Sequence, residues 1–174
     1  MARLPYAQLD DADKAPLVQR IVAERGSVLH LYQMLLHSPP LAEGWLAYLT
    51  AVRHRLTIGG ALRELIIMRV AVLNGAPYEA DQHKPVALHE GVTSTQLDAL
   101  VRWEGADCFS ATERAVLRLT DAMTRDIHFE PEILAAVRQH LGERGTVEVA
   151  ATIAAYNMVS RFLEALQIHS QDPR

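Results

Sequence analysis

A single cysteine, Cys108, stands among the 174 residues. An intrachain disulfide and a CxxC redox pair each need two, so both are excluded, and with them a disulfide-stapled secreted domain. Long apolar runs are missing as well. The longest are Leu65 to Met68 and Val70 to Leu73, split by Arg69, far short of the roughly 20 residues that span a bilayer. No charge of one sign dominates: 17 Lys and Arg face 21 Asp and Glu, for a formal net charge of −4. The charges are mixed along the chain, without the basic patch of a nucleic-acid binder or the basic run that holds a protein to an anionic membrane. The opening Met-Ala-Arg-Leu-Pro-Tyr leads into Gln, Asp and Lys rather than an apolar signal core, so the expected location is cytoplasmic. No stretch alternates at period two, and there is neither an internal repeat nor a low-complexity tract.

What remains is helical. Apolar residues are 49% of the chain and charged ones 22%, enough to fill one core. The reading is a single all-α domain over 1–174 with about seven to nine helices. Residues 1–15 are irregular surface chain. Pro16 opens a helix with Leu17, Ile21 and Val22 on one face, and Gly26 ends it. Ser27 caps a segment from Val28 to His37. After Ser38-Pro39-Pro40, a long helix runs to about Arg55, with Leu41, Trp45, Tyr48, Leu49 and Val52 at helical spacing. Thr57 to Gly60 is a break. Ala61 to Leu73 is apolar on nearly all sides, as in a central helix. Asn74-Gly75-Ala76-Pro77 turns into a helix that runs to about Glu90. A short helix capped by Thr93 or Ser94 extends through Arg102. Ser110 and Glu113 have capping-box spacing and open a helix to about Arg125. Pro131 opens one that ends near Gly142, and the last runs from about Val147 to Gln167.

Two places carry chemistry. Glu64 lies near the start of the apolar helix, where a carboxylate is costly to bury without a partner. It is a candidate acid or base, or a first-turn Glu favoured by the helix dipole and paired with Arg63 or Arg69. His83 stands four residues after Glu79, a spacing at which a carboxylate can orient an imidazole and hold a proton near neutral pH. The same pair also fits a solvated surface, because Asp81, Gln82 and Lys84 are polar. Tyr78 offers a phenol donor or a packing residue. As metal ligands, Glu79 and His83 lack company: His89 is six positions beyond His83 and points elsewhere, so no metal site is expected.

Leu62-Arg63-Glu64-Leu65, Arg69-Val70-Ala71, Asn74-Gly75-Ala76-Pro77-Tyr78-Glu79 and His83 together resemble the carboxymuconolactone decarboxylase family, which also contains the AhpD-like alkylhydroperoxidases. Ser38-Pro39-Pro40-Leu41, Trp45 and Tyr156-Asn157-Met158-Val159-Ser160-Arg161-Phe162 extend the resemblance over most of the chain after about residue 35. It implies an AhpD-like all-α fold with a helical pair at its centre. It also implies homo-oligomers, trimers or hexamers, with active sites near subunit contacts. The apolar Ala61–Leu73 helix and the small-residue run Ala150–Ala155 suit such packing, or simply a core.

In the peroxidase branch the resemblance implies a Glu, a CxxC pair and a His, with the Glu and His relaying protons to a cysteine. Glu64 and His83 match the outer two. Ala76 and Glu79 stand at the cysteine positions, so the chain is similar to the branch without CxxC, and no thiolate is available there to attack a peroxide. Cys108 lies outside the motif and reads as a packing residue.

The expected activity is therefore decarboxylase-like: Glu/His proton transfer on a small cyclic acid or lactone, with no cofactor. Glu64, His83, Tyr78 and Glu79 are the catalytic candidates. Arg161 is the candidate for binding a substrate anion, or else a helix-surface charge. The alternatives are an AhpD-like peroxidase and a family member that binds small molecules without converting them.

Overall fold

Helix starts and stops follow local chemistry. In the computed structural model, which describes residues 1–173, eight α-helices and one 3-10 helix are present and no strand is found among the described residues. The helices are α1 (Ala15–Arg25), α2 (His30–Leu35), α3 (Pro39–His54), α4 (Gly60–Asn74), α5 (Pro77–His89), α6 (Ser94–Ala99), α7 (Ala111–Arg125) and α8 (Pro131–Leu166); the 3-10 helix, Leu100–Gly105, follows α6. The all-α reading holds, and most boundaries lie where punctuation residues put them. Prolines occupy the first turns of α1, α3 and α5, where the missing N–H costs nothing. Thr93 with Gln96, and Ser110 with Glu113, form complete capping boxes. Within α8 the helix is broken at Gly142, whose φ of 66° and ψ of −173° are open only to glycine.

Several expectations are corrected. α2 begins at His30 with Leu29 as its cap, not at Val28 behind Ser27, and all six of its residues are buried. The short helix expected through Arg102 ends as α-helix at Ala99 and continues as the 3-10 turn. Val22, Leu41 and Tyr48 are exposed, while Ala42 and Leu46 join Trp45, Leu49 and Val52 in the buried stripe of α3. The first 15 residues are irregular but not merely superficial. Ala7 is buried, and the Tyr6 hydroxyl donates to Asp172 Oδ2 at 2.6 Å. Pro85 lies inside α5 without ending it.

The chain divides into two compact units: Met1–Arg55 together with the segment from Phe162 onward, and Leu56–Arg161. The first carries α1 to α3, with α3 packed on α1 and α2. The second is centred on α4, which packs against α5 and α7. Glu64 to Ala71 are all buried. Of these, Leu65 and Met68 join Ala87, Val92, Leu100, Trp103, Phe109 and Leu117 in one apolar cluster. A charge also crosses this core. Arg69, 2% exposed, forks onto Asp121 through Nε–Oδ1 and Nη2–Oδ2, both at 2.6 Å. Its Nη1 donates to Leu100 O at 2.5 Å, and Trp103 Nε1 donates to Asp121 Oδ2 at 3.3 Å. The bidentate geometry and extra donors satisfy both ions, as a buried pair requires. No helix among the described residues is long and apolar enough to cross a membrane.

Candidate functional site

The second unit places Glu64 and His83 in contact. Glu64 sits on α4 one turn past the Gly60 start, completely buried. His83 lies in the second turn of α5, 7% exposed. The packing of α4 on α5 brings His83 Nδ1 to 2.8 Å from Glu64 Oε2. Facing an ionised carboxylate, Nδ1 is the nitrogen that carries the proton and donates it. The other oxygen, Oε1, accepts from Arg63 Nε at 3.1 Å. Arg63 Nη2 in turn donates to Glu90 Oε1 at 3.1 Å.

Burial pushes the Glu64 carboxyl up. The hydrogen bond and charge of His83, followed by those of Arg63, outweigh it, so the group titrates below the ordinary carboxylate value. Glu64 is thus an ion held in the core by two cationic or donor partners. Glu64 lies beyond the first turn of α4, whose first turn holds no acidic residue, so the helix-dipole reading fails, while the expected partner Arg63 is present and His83 is a second one.

The carboxylate on the His83 Nδ1 edge is that of Glu64, nineteen residues back in sequence. Glu79 and His83 are not a solvated surface pair, since both are buried. Glu79 lies in the first turn of α5, where the helix dipole favours a carboxylate. Its Oε2 accepts a short hydrogen bond from the Ser160 hydroxyl. Tyr78 is buried beside it in sequence, at 4% exposure.

The last helix supplies partners that the sequence did not single out. The Tyr156 ring meets His83 edge to face, with centroids 5.1 Å apart and planes at 87°. Ser160 is fully buried, and its hydroxyl also lies 2.9 Å from Tyr156 O, so its single proton serves either that carbonyl or Glu79. A chain therefore runs from Glu64 through the His83 imidazole to Tyr156, and by Ser160 to Glu79. Long-range pairing of this kind leaves no local spacing signal; Tyr156 and Ser160 stood only within the Tyr156–Phe162 stretch of the family resemblance.

Arg161 is exposed and donates to Asn157 Oδ1 at 2.6 Å and to Asn157 O at 3.2 Å. Asn157 also accepts from Asn74 Nδ2 at 3.1 Å and donates to Thr124 Oγ1 at 3.0 Å. These bonds put Arg161 on a polar knot at the ends of α4 and α7 rather than on the Glu64–His83 pair. Cys108 is half-buried and packs against the apolar cluster. Among the described residues, no group of three or more His, Cys, Asp or Glu side chains is placed to hold a metal ion.

The sequence profile of the carboxymuconolactone decarboxylase family matches residues 39–122, which include Glu64, Tyr78, Glu79 and His83. A relative, the uncharacterized protein YdfG of Bacillus subtilis (strain 168), is 30% identical over 112 residues, 63% of this chain and 76% of the relative. The chain belongs to the carboxymuconolactone decarboxylase family. Among solved structures of this AhpD-like fold, one is a protein of unknown function from Agrobacterium tumefaciens that carries the AhpD antioxidant-defence name. It superposes with a TM-score of 0.73 at 22% identity, over 80% of this chain and 95% of that one. Another is a variant of the debrominase Bmp8 in complex with 2,3,4-tribromopyrrole, with a TM-score of 0.82 at 19% identity, over 98% of this chain and 94% of that one. At these identities the likeness is one of fold.

Proposed function

We propose that this family member is a cofactor-independent, proton-transferring enzyme of the carboxymuconolactone decarboxylase kind, acting on a small cyclic acid or lactone. The observation that carries the reading is the buried Glu64–His83 hydrogen bond of 2.8 Å. A carboxylate on Nδ1 fixes the ring's tautomer and orientation and stabilises the imidazolium that proton uptake creates. His83 Nε2 is then the atom that exchanges a proton with substrate.

In the decarboxylation, the bond from the ring carbon to the carboxylate breaks and carbon dioxide leaves. The electron pair moves into the conjugated lactone carbonyl, and the resulting dienolate takes a proton on carbon from the His83 imidazolium. One proton is consumed per carbon dioxide released, and solvent restores it to His83. Glu64 gains in this step only what it gives to the protonated ring, and transition-state stabilisation of that sort is what raises kcat. Glu79, with Tyr78 beside it, completes the polar wall of the site. Arg161 takes part as an anion binder only by turning its guanidinium from Asn157 toward substrate. The same reading carries a cytoplasmic homo-oligomer, trimer or hexamer; a clean monomer by light scattering at micromolar concentration contradicts that part.

The peroxidase alternative needs a thiolate beside the Glu–His pair. Ala76 and Glu79 occupy the positions where the CxxC branch carries cysteines, and Cys108 packs in the apolar cluster, so chemistry disfavours it.

The test is release of carbon dioxide from 4-carboxymuconolactone by the purified protein. General acid–base participation is worth about 10²–10⁴-fold, so His83→Ala and Glu64→Gln should each lose activity on that scale. Unchanged turnover in both variants sinks the mechanism. Binding of the lactone without any turnover by the wild type marks a non-catalytic binder instead.

A further inference from the structure

Neighbouring residues on a helix do not face one another. Yet Arg63 Nε lies 3.1 Å from Glu64 Oε1. The contact exists because the Arg63 side chain, 11% exposed, folds back along α4 and is held at its far end by Glu90 Oε1, 3.1 Å from Nη2. Glu90 caps the end of α5, and its carboxylate occupies the space over Gly60. A Cβ on Gly60 would lie 1.6 Å from Glu90 Oε2. The missing side chain at Gly60 thus makes room for Glu90, Glu90 holds Arg63, and Arg63 holds one oxygen of Glu64 while His83 holds the other.

We propose that Arg63 is a positioning residue of the catalytic pair: with Glu90 as its outer hold, it locks the Glu64 carboxylate so that Oε2 faces His83 Nδ1. The inference rests on the acid/base reading of Glu64 and His83 for its meaning but not for its test. A carboxylate bonded only through Oε2 can rotate about its last torsion, which is broad and roughly two-fold. With Oε1 pinned by the Arg63 guanidinium, that rotation is blocked and the imidazole keeps one tautomer. Of the charged groups on elements packed against α4, His83 and Glu90 of α5 belong to this chain of contacts. Arg69, further along α4, takes up Asp121 of α7. Arg63 is therefore the cation that faces Glu64 from its own helix, and its fork suits a bridge between two carboxylates, whereas a lysine offers a point charge.

The experiment is nitrogen–proton NMR of the histidine rings, with the His83 signals assigned by their loss in His83→Ala. The wild type should show a single His83 tautomer with a slowly exchanging Nδ1 proton. Arg63→Met should broaden or abolish that proton signal and mix the tautomers, and should lower kcat about 10- to 100-fold with KM little changed, as misplacement of a catalytic group does. Arg63→Lys, which preserves the charge and guards against misfolding, should give an intermediate spectrum. Gly60→Ala, which evicts the Glu90 carboxylate without altering any charge, should weaken the signal less than Arg63→Met. Wild-type His83 signals in folded Arg63→Met and Arg63→Lys proteins overturn the proposal, and an unchanged Gly60→Ala spectrum removes Glu90 from it. Tautomer loss in a protein that turns over no lactone upholds Arg63 as the residue that sets the pair and counts against the decarboxylase reading alone.

Discussion

His83 Nδ1 lies 2.8 Å from Glu64 Oε2, and the two residues come from different helices nineteen positions apart. Both are buried, so neither can trade this bond for water without moving a helix. That makes the pair a structural element as well as a chemical one. Its two roles separate by choice of substitution.

Glu64→Gln keeps the shape of the side chain and one oxygen that can accept from His83 or from Arg63, but not both acceptors. Glu64→Ala leaves a cavity and takes the buried carboxylate from both His83 and Arg63, which keeps only Glu90. Breaking a buried ion pair by removing one partner costs about 3–5 kcal/mol, so Glu64→Ala should be markedly less stable than Glu64→Gln while both are inactive. Urea unfolding of the two variants checks it. Equal stabilities would mean that Glu64 carries little of the packing at the α4–α5 contact.

The pH dependence of stability has a definite sign. Glu64, Glu148 and Asp172 all titrate below their ordinary values in the fold. For Glu148, burial raises the value, but hydrogen bonds from Thr57, Arg144 and Ile58 outweigh it. A group depressed on folding contributes stability that is fully present above its unfolded value, near 4.5 for a glutamate, and lost as pH falls through its folded value. Urea midpoints should therefore be flat from pH 7 down to about 5 on these accounts and fall below that. Glu148→Gln should start less stable and lose less on acidification. Parallel curves for wild type and variant would show that Glu148 does not hold the loop before α4.

Much of the fold was legible because helix ends are written in single residues. Pro39, Pro77, the Thr93 and Ser110 caps, and Gly142 mark boundaries that the structure keeps. The faces were harder to read. Leu41 and Tyr48 have helical spacing with Trp45, yet they flank the buried stripe and remain exposed, because periodicity gives a direction but not the width that a neighbour covers. Glu64 and His83 were both visible as candidates, and the family resemblance, not local spacing, joined them. Sequence spacing offered Glu79 to His83 at one turn, and the α4–α5 packing delivered Glu64. Tyr156 and Ser160 arrive from α8, more than seventy residues away from His83 and Glu79, and no local rule connects them.

Cys108 provides a direct discriminator between the two branches of chemistry. It is half-buried among apolar neighbours, and no thiol is needed to move a proton. Cys108→Ser should retain carbon dioxide release within about twofold, since a near-isosteric change at a packing site costs little. Abolished turnover in a folded Cys108→Ser protein would return the thiol mechanism to consideration.

The Arg69–Asp121 pair tests whether a charge in this core is a strength or only a commitment. Arg69 makes two 2.6 Å contacts to Asp121 and caps the Leu100 carbonyl at 2.5 Å. Removing one partner leaves the other buried and unmatched, while replacing both by apolar residues removes the desolvation cost along with the attraction. Arg69→Met and Asp121→Leu should each lose about 3–5 kcal/mol, and the double variant should lose far less than their sum. The residual loss belongs to the groups stranded by the double change: Leu100 O, Trp103 Nε1, and Arg125 Nη1, which lies 3.2 Å from Asp121 Oδ2. A double-mutant cycle by chemical denaturation measures this coupling directly. If the two losses simply add, the ions do not act as a unit, and the stability of α4 against α7 must come from the apolar cluster around Leu65, Met68 and Leu117 alone.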